Sequence, residues 1–326
     1  MLTAIRHQPV LAERCVELLR PRPAGVYLDA TLGLGGHAEL LLAASAPGGR
    51  LIGVDRDPAA LALARERLEP SRGRLTVVAA SFADLSLVAA GLGLGQVDGV
   101  LYDLGVSSLQ LDEPARGFSY RADAPLDMRM DPTRGTTAAE VVNTYPRQRL
   151  AQLLREYGEE RHAARIARFI DEARRRAPIE TTGELVDIIK AAIPAALRRT
   201  GPHPARRTFQ ALRIEVNGEL DALRASLPQA IDLLAPGGRI VVLSYHSLED
   251  RIVKHTFSDL AATSVHPADL PEHVIPRTPQ LRILTRRPVT PGPAEIETNP
   301  RAESAKLRAA EKLADVDISA HGGQPE

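Results

Sequence analysis

Two carboxylates and a histidine border a glycine-rich turn near the start of the chain. Asp29 precedes the turn, His37 follows it, and Asp55 ends the next apolar segment. The apolar runs 25–28 and 50–54 predict two short strands, with a helix beginning at His37 between them. This order predicts a βαβ unit, in which a ligand binds beyond the carboxyl ends of the strands.

The glycines of the turn let the backbone approach a ligand, and two classes of cofactor use such a turn. Gly33, Gly35 and Ala38 match the dinucleotide fingerprint, and Asp55 follows about 20 residues on, where it could accept hydrogen bonds from ribose hydroxyls. Asp29 would repel a pyrophosphate. S-adenosylmethionine carries an ammonium and a sulfonium instead, so the sequence favours it over NAD. A turn that serves only close packing is less consistent with an acid at each strand end.

The composition of the chain excludes several classes of protein. Its 326 residues, 44% of them hydrophobic, suffice for two domains or for one domain with a large insertion. Cys15 is the single cysteine and the nine histidines lack ligand spacing, so neither a disulfide nor a metal site is predicted. The 41 basic and 41 acidic residues balance, unlike in a protein that binds nucleic acid by charge alone. No signal segment or membrane span is predicted, and we expect a cytoplasmic protein.

Further strand patterns recur along the chain at 74–80, 97–103 and 239–243, separated by helical patterns. The run 281–284 predicts a late strand at the sheet edge. Alternating strands and helices predict an α/β fold with a doubly wound, mostly parallel Rossmann-like sheet.

The alternation stops between about residues 110 and 204, where only helical signals occur. Thr137 with Glu140, and Thr181 with Glu184, predict capping boxes there. A long amphipathic helix is predicted from Phe209 to Leu234. The predicted organisation is a discontinuous core at 1–108 and 208–292, a helical insertion for substrate recognition at 109–207, and a C-terminal helix with a disordered tail at 293–326.

Nine segments carry a resemblance to a known family, and they follow one another along nearly the whole chain. They are HQPVL at 7–11, DATLGLGGH at 29–37, GVDRDPAAL at 53–61, LYDLGVSSLQLD at 101–112, RGFSY at 116–120, PLDMRMD at 125–131, HPARRTFQALRIEVNGEL at 203–220, PGGRIVVLSYHSLEDRIVK at 236–254 and NPRAESAKLRAAE at 299–311. The chain resembles the MraW family, the cytosine-N4 methyltransferases of ribosomal small-subunit RNA. Leu34 and Glu303 depart from the pattern, where the family commonly has glycine and arginine.

The resemblance implies a class I methyltransferase that transfers a methyl group from S-adenosylmethionine to the exocyclic N4 of a cytidine in 16S rRNA. It also implies a set of cofactor contacts: Gly35, Gly36, His37, Asp55, Phe82, Asp103 and Gln110. Residue chemistry agrees for Asp103, which ends the fourth predicted strand. Phe82 could pack on the adenine face, although a phenylalanine at a strand end is as often part of the core. His37 could equally be a solvated helix cap.

The amine of cytosine is a poor nucleophile and needs hydrogen-bond acceptors to orient it and to take up a proton. We expect Asp103, Ser107, Ser244 and His246, at the ends of the fourth and fifth strands, to supply them, with Asp103, Ser244 and His246 as the catalytic candidates. Methylation at carbon 5 would require a cysteine nucleophile. Cys15 lies in a predicted helix at 12–19, far from any strand end, so a heteroatom target is favoured.

The expected partner is 16S rRNA within the small ribosomal subunit, with no membrane or metal, and the oligomeric state is left open, a homodimer being one option. The aromatic content of 3%, without tryptophan, argues against a stacking platform and favours shape recognition by the insertion. Candidate phosphate contacts are Arg147, Arg149, Arg198, Arg199, Arg206 and Arg207. Three alternatives stay open: a methyltransferase acting on a small molecule or a protein, an NAD-dependent oxidoreductase, and a catalytically silent assembly factor.

Overall fold

The computed structural model describes residues 9–198, 203–265 and 274–314. The chain divides into two compact units. The sheet unit comprises residues 1–55, 61–105 and 223–326, and the helical unit comprises residues 56–60 and 106–222. In the described ranges, every helix is too short or too polar to cross a bilayer.

The sheet unit is built on a seven-stranded sheet with the order β3-β2-β1-β4-β5-β9-β8. Its strands are β1 Val26–Asp29, β2 Arg50–Asp55, β3 Leu75–Ala79, β4 Val97–Asp103, β5 Leu234–Ser244, β8 Leu281–Ile283 and β9 Lys306–Lys312, and a separate pair joins β6 Ser264–Val265 to β7 Ile275–Pro276. The first five strands of the sheet are mutually parallel, and β9 is antiparallel to both of its neighbours. This confirms the predicted doubly wound, mostly parallel sheet.

Both faces of the sheet are covered because apolar residues occupy consecutive positions of the central strands. Tyr27 and Leu101 belong to one buried cluster, whereas the adjacent Leu28 and Val100 belong to the other. Neighbouring strand residues point to opposite faces, so such runs require helices on both sides. Those helices are α1 Ala12–Leu19, α2 Gly36–Ala44, α3 Pro58–Arg67, α4 Leu85–Gly91, α12 Glu219–Leu233 and α13 Ser247–Ala261, with α3 and α12 each beginning in the helical unit. A further helix of the sheet unit, α14 Pro293–Thr298, has no buried residue.

The helical unit encloses its own apolar core. Its helices are α5 Ser108–Asp112, α6 Ala138–Thr144, α7 Arg147–Glu156, α8 Ala163–Arg174, α9 Thr182–Ala192, α10 Ala195–Arg198 and α11 Arg206–Asn217. Both predicted capping boxes are present: the hydroxyls of Thr137 and Thr181 accept hydrogen bonds from the backbone N–H groups of Glu140 and Glu184. Within the described part of 110–204 no regular strand forms, as predicted; only one bridge, Pro125 to Thr181, occurs.

The long helix predicted from Phe209 to Leu234 is wrong as a single element. Gly218 lies in the left-handed region with φ 59° and ends α11, and α12 begins at Glu219. A side chain would be strained at this φ, so glycine is the residue that permits the break. The predicted insertion boundary at 207 also falls too early, because Phe209 and Leu212 of α11 belong to the core of the helical unit.

The predicted C-terminal helix from residue 293 is confirmed only for α14. Lys306–Lys312 instead form β9, which lies between β5 and β8 inside the sheet. The lysines, alanines and glutamate of this segment are good helix formers, but pairing with two strands overrides that preference. The disordered tail predicted beyond β9 lies outside the described residues from 315 onward, whereas the predicted edge strand at 281–284 is confirmed as β8.

Candidate active site at the carboxyl ends of the strands

Three aspartates end three adjacent parallel strands of the sheet unit. Asp29 ends β1, Asp55 ends β2 and Asp103 ends β4. The strand order reverses between β1 and β4, and ligands of doubly wound sheets bind outside the carboxyl ends at such a switch point. The predicted placement of the three carboxylates at one edge is therefore confirmed.

Hydrogen bonds connect the turn between β1 and α2 to two of these residues, Asp55 and Asp103. The N–H of Gly33 donates to Oδ2 of Asp55 at 2.8 Å, and the N–H of Asp103 donates to Oγ1 of Thr31 at 2.6 Å. Gly35 has φ 78°, a conformation that L side chains rarely adopt, and it precedes the first residue of α2, Gly36. The turn thus brings the start of α2 beside the strand ends, and a side chain at Gly35 would also collide with Leu68, whose Cδ1 lies 2.9 Å from the position of a Cβ.

Asp29 is almost completely buried, at 1% exposure. Its Oδ1 accepts a hydrogen bond from the N–H of Thr31 at 3.1 Å, but removal from water dominates and raises the pKa of the carboxyl to about 7. A buried acid with such a raised pKa is stabilised as a carboxylate by a positively charged ligand. The arrangement therefore favours a cationic ligand and disfavours a pyrophosphate.

Buried His37 and partly buried Asp103 and Tyr245 form a chain of contacts beside Asp29, and we call these four residues the strand-end cluster. Nε2 of His37 lies 3.4 Å from Oδ2 of Asp103, and the hydroxyl of Tyr245 donates to Oδ1 of Asp103 at 2.7 Å. Burial alone would lower the pKa of His37, but Asp103 and Cys15 outweigh it and hold this pKa well above its ordinary value. The Asp103 carboxylate is thus fixed between an imidazolium and a phenol.

His37 is not the solvated cap considered from the sequence, because it is buried at the start of α2. Its Nδ1 makes no hydrogen bond with any of the described residues. Buried polar atoms are almost always hydrogen-bonded, and exceptions concentrate at ligand and catalytic sites. Nε2 also makes no hydrogen bond, at 3.4 Å from Asp103, so both nitrogens of this buried ring are incompletely satisfied by the described residues.

The expectation that Cys15 lies far from any strand end is wrong. Cys15 is in α1 as predicted, but its thiol lies close enough to His37, Asp103 and Asp29 to interact with them electrostatically. Burial nevertheless raises the pKa of the thiol above its ordinary value. A protonated, buried thiol is a poor nucleophile, so protonation and burial, and not distance, disfavour attack by Cys15.

Phe82 lies just after β3 and is half-buried. Its ring packs edge-on against Tyr102, with centroids 5.9 Å apart and an interplanar angle of 81°. One edge of the ring therefore belongs to the core of the sheet unit. The predicted contact of Phe82 with adenine stays a prediction.

Ser244 and His246 leave β5, and both are engaged within the sheet unit. The Ser244 hydroxyl donates to the carbonyl of Lys306 in β9 at 3.3 Å. His246 caps α13: its Nδ1 accepts from the N–H of Glu249, whose carboxylate lies 3.2 Å from Nε2. The predicted catalytic roles of both residues stay predictions, and these contacts favour structural roles for them.

Gln110 and Ser107 lie in the helical unit, where they form a third capping box at the start of α5. The side-chain carbonyl of Gln110 accepts from the N–H of Ser107 at 3.0 Å, and its amide donates to Oδ2 of Asp57 at 2.9 Å. Arg116 also donates to Oδ2 of Asp57, at 3.0 Å, and to the carbonyl of Met130. We call Asp57, Gln110 and Arg116 the Asp57 network.

Sequence reasoning missed Tyr245, Asp57 and Arg116. Each belongs to a segment of the family resemblance, but no local spacing singles it out. Tyr245 follows a strand and Asp57 precedes a helix, which are ordinary places for a turn tyrosine and a capping aspartate. Their partners are distant in sequence, so only the fold reveals their contacts.

The arginines that were predicted to contact phosphate differ in their surroundings. Arg149 pairs with Glu215 at 3.1 Å in the helical unit. Arg147, Arg206 and Arg207 are exposed. Arg199 and the side chain of Arg198 lie outside the described residues.

The strand ends fit S-adenosylmethionine in three respects. Asp29 offers a buried carboxylate for positive charge, His37 has ring nitrogens without hydrogen bonds, and the turn at Gly35 leads directly into the start of α2. Asp55, at the tip of the second strand, is in the position that binds ribose hydroxyls in related folds. The residues present therefore suit this cofactor.

Comparisons with known proteins identify the family of the chain. Residues 4–313 match the model of the MraW methylase family. The chain is 54% identical over 308 residues to ribosomal RNA small subunit methyltransferase H of Heliobacterium modesticaldum, covering 94% of this chain and 98% of that protein. It is 56% identical over 310 residues to the protein of the same name from Symbiobacterium thermophilum, covering 95% and 98%. This chain therefore belongs to the MraW methylase family.

Proposed function

We propose that this protein transfers a methyl group from S-adenosylmethionine to the exocyclic N4 of a cytidine in 16S rRNA of the small ribosomal subunit. The observation that carries the proposal is the strand-end cluster, in which a buried acid with a pKa of about 7 lies beside a fixed carboxylate. Family membership supplies the substrate class, since relatives with more than half of their residues in common are named for small-subunit ribosomal RNA.

Four residues of the sheet unit are proposed to hold the cofactor. Asp29 would face its positive charge, Gly35 and His37 would contact it at the start of α2, and Asp55 would bind the ribose. S-adenosylmethionine supplies a methyl carbon that is already activated by the adjacent sulfonium. The protein therefore needs only to align an acceptor with that carbon and to exclude water.

Asp103 is the residue proposed to accept a hydrogen bond from the cytosine amine. Its carboxylate is held by Tyr245 at 2.7 Å and His37 at 3.4 Å, so its orientation is set before any substrate arrives. A preorganised acceptor orients the amine and stabilises the positive charge that develops on nitrogen during transfer. As the N–C bond forms, the bond between the methyl carbon and the sulfonium would break, and the proton of the methylated amine would then pass to the Asp103 carboxylate.

Two observations support nitrogen over carbon as the methylated atom. Cysteine attack on the ring is the usual route to carbon 5, and the single cysteine of this chain is buried with a raised pKa. Asp103 instead offers the acceptor that an amine needs. We propose that the protein acts in the cytoplasm, where small ribosomal subunits assemble. A base that is paired or stacked in folded RNA must first be extruded before it can reach the methyl group.

Mapping of 16S rRNA by mass spectrometry tests the proposal. A strain that lacks the protein is complemented with the wild type or with Asp103→Asn, and the rRNA fragments are compared. One additional methyl group on a single cytidine is expected with the wild type only. Identical spectra with and without the wild-type protein would contradict it. Transfer assays on assembled subunits, free rRNA, protein fractions and metabolites then separate the remaining substrate classes.

A further inference from the structure

Three aromatic rings lead from the core of the helical unit to its surface. Phe209 is buried, and Tyr120 packs edge-on against it with centroids 5.6 Å apart at 86°. Tyr120 is half-buried and stacks flat on His203, with centroids 4.5 Å apart at 9°. His203 is exposed. The series therefore ends in a flat ring at the surface whose position is fixed from beneath.

The orientation of His203 is fixed from a second direction. Its Nδ1 accepts a hydrogen bond from the N–H of Ala205 at 3.3 Å, and its carbonyl accepts from the N–H of Arg206 at 3.0 Å. Partial burial and the positive charges of Lys190 and Arg121 lower the pKa of this imidazole. The ring is thus neutral at physiological pH and held in one orientation.

The surroundings of this ring are cationic. Arg121 and Arg206 are exposed, and the side chain of Lys190, 43% exposed, has a loose partner in Asp187 at 3.4 Å. A neutral aromatic face beside flexible cations suits an unpaired nucleotide, whose base stacks while its phosphates are neutralised. A lipid surface or an acidic peptide would use the cations but would have no use for a rigid flat ring.

We propose that the His203–Tyr120 stack, flanked by Lys190 and Arg121, binds one unpaired base of the RNA substrate. The inference rests on the proposed function only in taking RNA as the ligand. It refines the expectation drawn from composition: a chain with 3% aromatic residues builds no extended platform, but two of its rings suffice for a single base.

A pair of substitutions separates stacking from helix capping. His203→Asn keeps an acceptor for the N–H of Ala205 but removes the ring, whereas His203→Phe keeps a ring but removes the acceptor. Methyl transfer is measured on small subunits purified from a strain that lacks the protein. Loss of one stacked base should raise KM about 5- to 150-fold for His203→Asn, with kcat unchanged at saturation, and His203→Phe should stay within about threefold of the wild type.

Two results would overturn the proposal. One is an unchanged KM for His203→Asn, and the other is an equal rise for both variants, which would assign the effect to helix capping. Calorimetry with S-adenosylmethionine serves as the folding control, since neither variant should alter cofactor affinity.

A second measurement does not depend on catalysis. The chain contains no tryptophan, so His203→Trp introduces a single tryptophan at the stack, which can be excited selectively over the six tyrosines. Purified 16S rRNA should quench its emission, whereas heparin, a polyanion without bases, should not. Binding of rRNA without quenching, or quenching only by a ribosomal protein fraction freed of RNA, would overturn the proposal. Quenching by rRNA with a wild type that fails to methylate would instead contradict the proposed function alone.

Discussion

The strand-end cluster and the Asp57 network, one in each unit, differ in how well their polar atoms are satisfied. In the network, Asp57 accepts from Gln110, Arg116 and the N–H of Ala59 at 2.9–3.0 Å. In the cluster, Asp29 has a pKa raised to about 7 and the ring nitrogens of His37 lack hydrogen bonds to the described residues. The first arrangement stabilises the helical unit by itself, whereas the second costs stability until a ligand binds.

The largest expected effect is on catalysis at the strand-end cluster. Asp103→Asn should lower kcat for small subunits about 10²- to 10⁴-fold. A neutral amide neither stabilises the positive charge that develops on the amine nor accepts its proton. Asp98→Asn, on the same strand, is the matched control, since an amide oxygen can still accept from the N–H of Val26. Single-turnover methyl transfer on purified subunits measures both. Equal rates for Asp103→Asn and the wild type would remove Asp103 from the mechanism.

The Asp57 network should show the largest loss of stability. Asp57→Ala leaves the guanidinium of Arg116, 11% exposed, without its carboxylate, and should lower the free energy of unfolding by about 3–5 kcal/mol. Glu69→Ala breaks a pair with Arg72 in which the side chains are 61% and 81% exposed, and should cost less than about 1 kcal/mol. Urea denaturation followed by circular dichroism compares the two. If both variants lose the same free energy of unfolding, burial does not explain the stability that the Asp57 network provides.

Removal of a carboxylate from the strand-end cluster should instead increase the free energy of unfolding. The pKa of Asp29 is about 7 in the folded protein, whereas that of an ordinary aspartate is 3.8. Folding therefore opposes ionisation of Asp29, and the resulting loss of stability grows as the pH rises from about 4 to 7. Asp29→Asn should therefore stabilise the ligand-free protein at pH 8 by roughly 3–4 kcal/mol, and by almost nothing at pH 4. Thermal unfolding at both pH values is the measurement. A destabilised variant at pH 8 would show that Asp29 is satisfied without a ligand.

The smallest effect concerns the pH dependence of cofactor binding. A cationic ligand prefers the ionised form of Asp29, so affinity for S-adenosylmethionine should be constant above pH 7 and fall about tenfold for each pH unit below it. Calorimetry should also detect proton release near pH 6.5. Asp29→Asn should bind weakly at every pH without this slope. A wild-type affinity that rises toward acid pH would contradict the assignment.

The sequence predicted those features whose signals are local. Asp29, Asp55 and Asp103 each end an apolar run, and strands that end beside one another in a parallel sheet must bring such residues to one edge. The capping boxes at Thr137 and Thr181 were predictable for the same reason, because a box is defined within four residues.

The features that were missed depend on contacts between distant segments. The pattern of Lys306–Lys312 favours a helix, and only pairing with β5 and β8 makes it a strand. Cys15 approaches His37 because α1 packs beside α2, which no spacing within either helix predicts. The hydrogen bond from Tyr245 to Asp103 likewise joins residues far apart in the chain.

The position of β9 between β5 and β8 has a consequence for the order of synthesis. β5 can pair with β4 as soon as it emerges from the ribosome, but its other edge has no partner until Lys306–Lys312 emerge. One edge of β5 therefore stays unpaired while the residues between β5 and β9 are synthesised. Unpaired strand edges promote aggregation. Nascent chains halted before Lys306 should consequently engage chaperones, whereas those that include β9 should escape them.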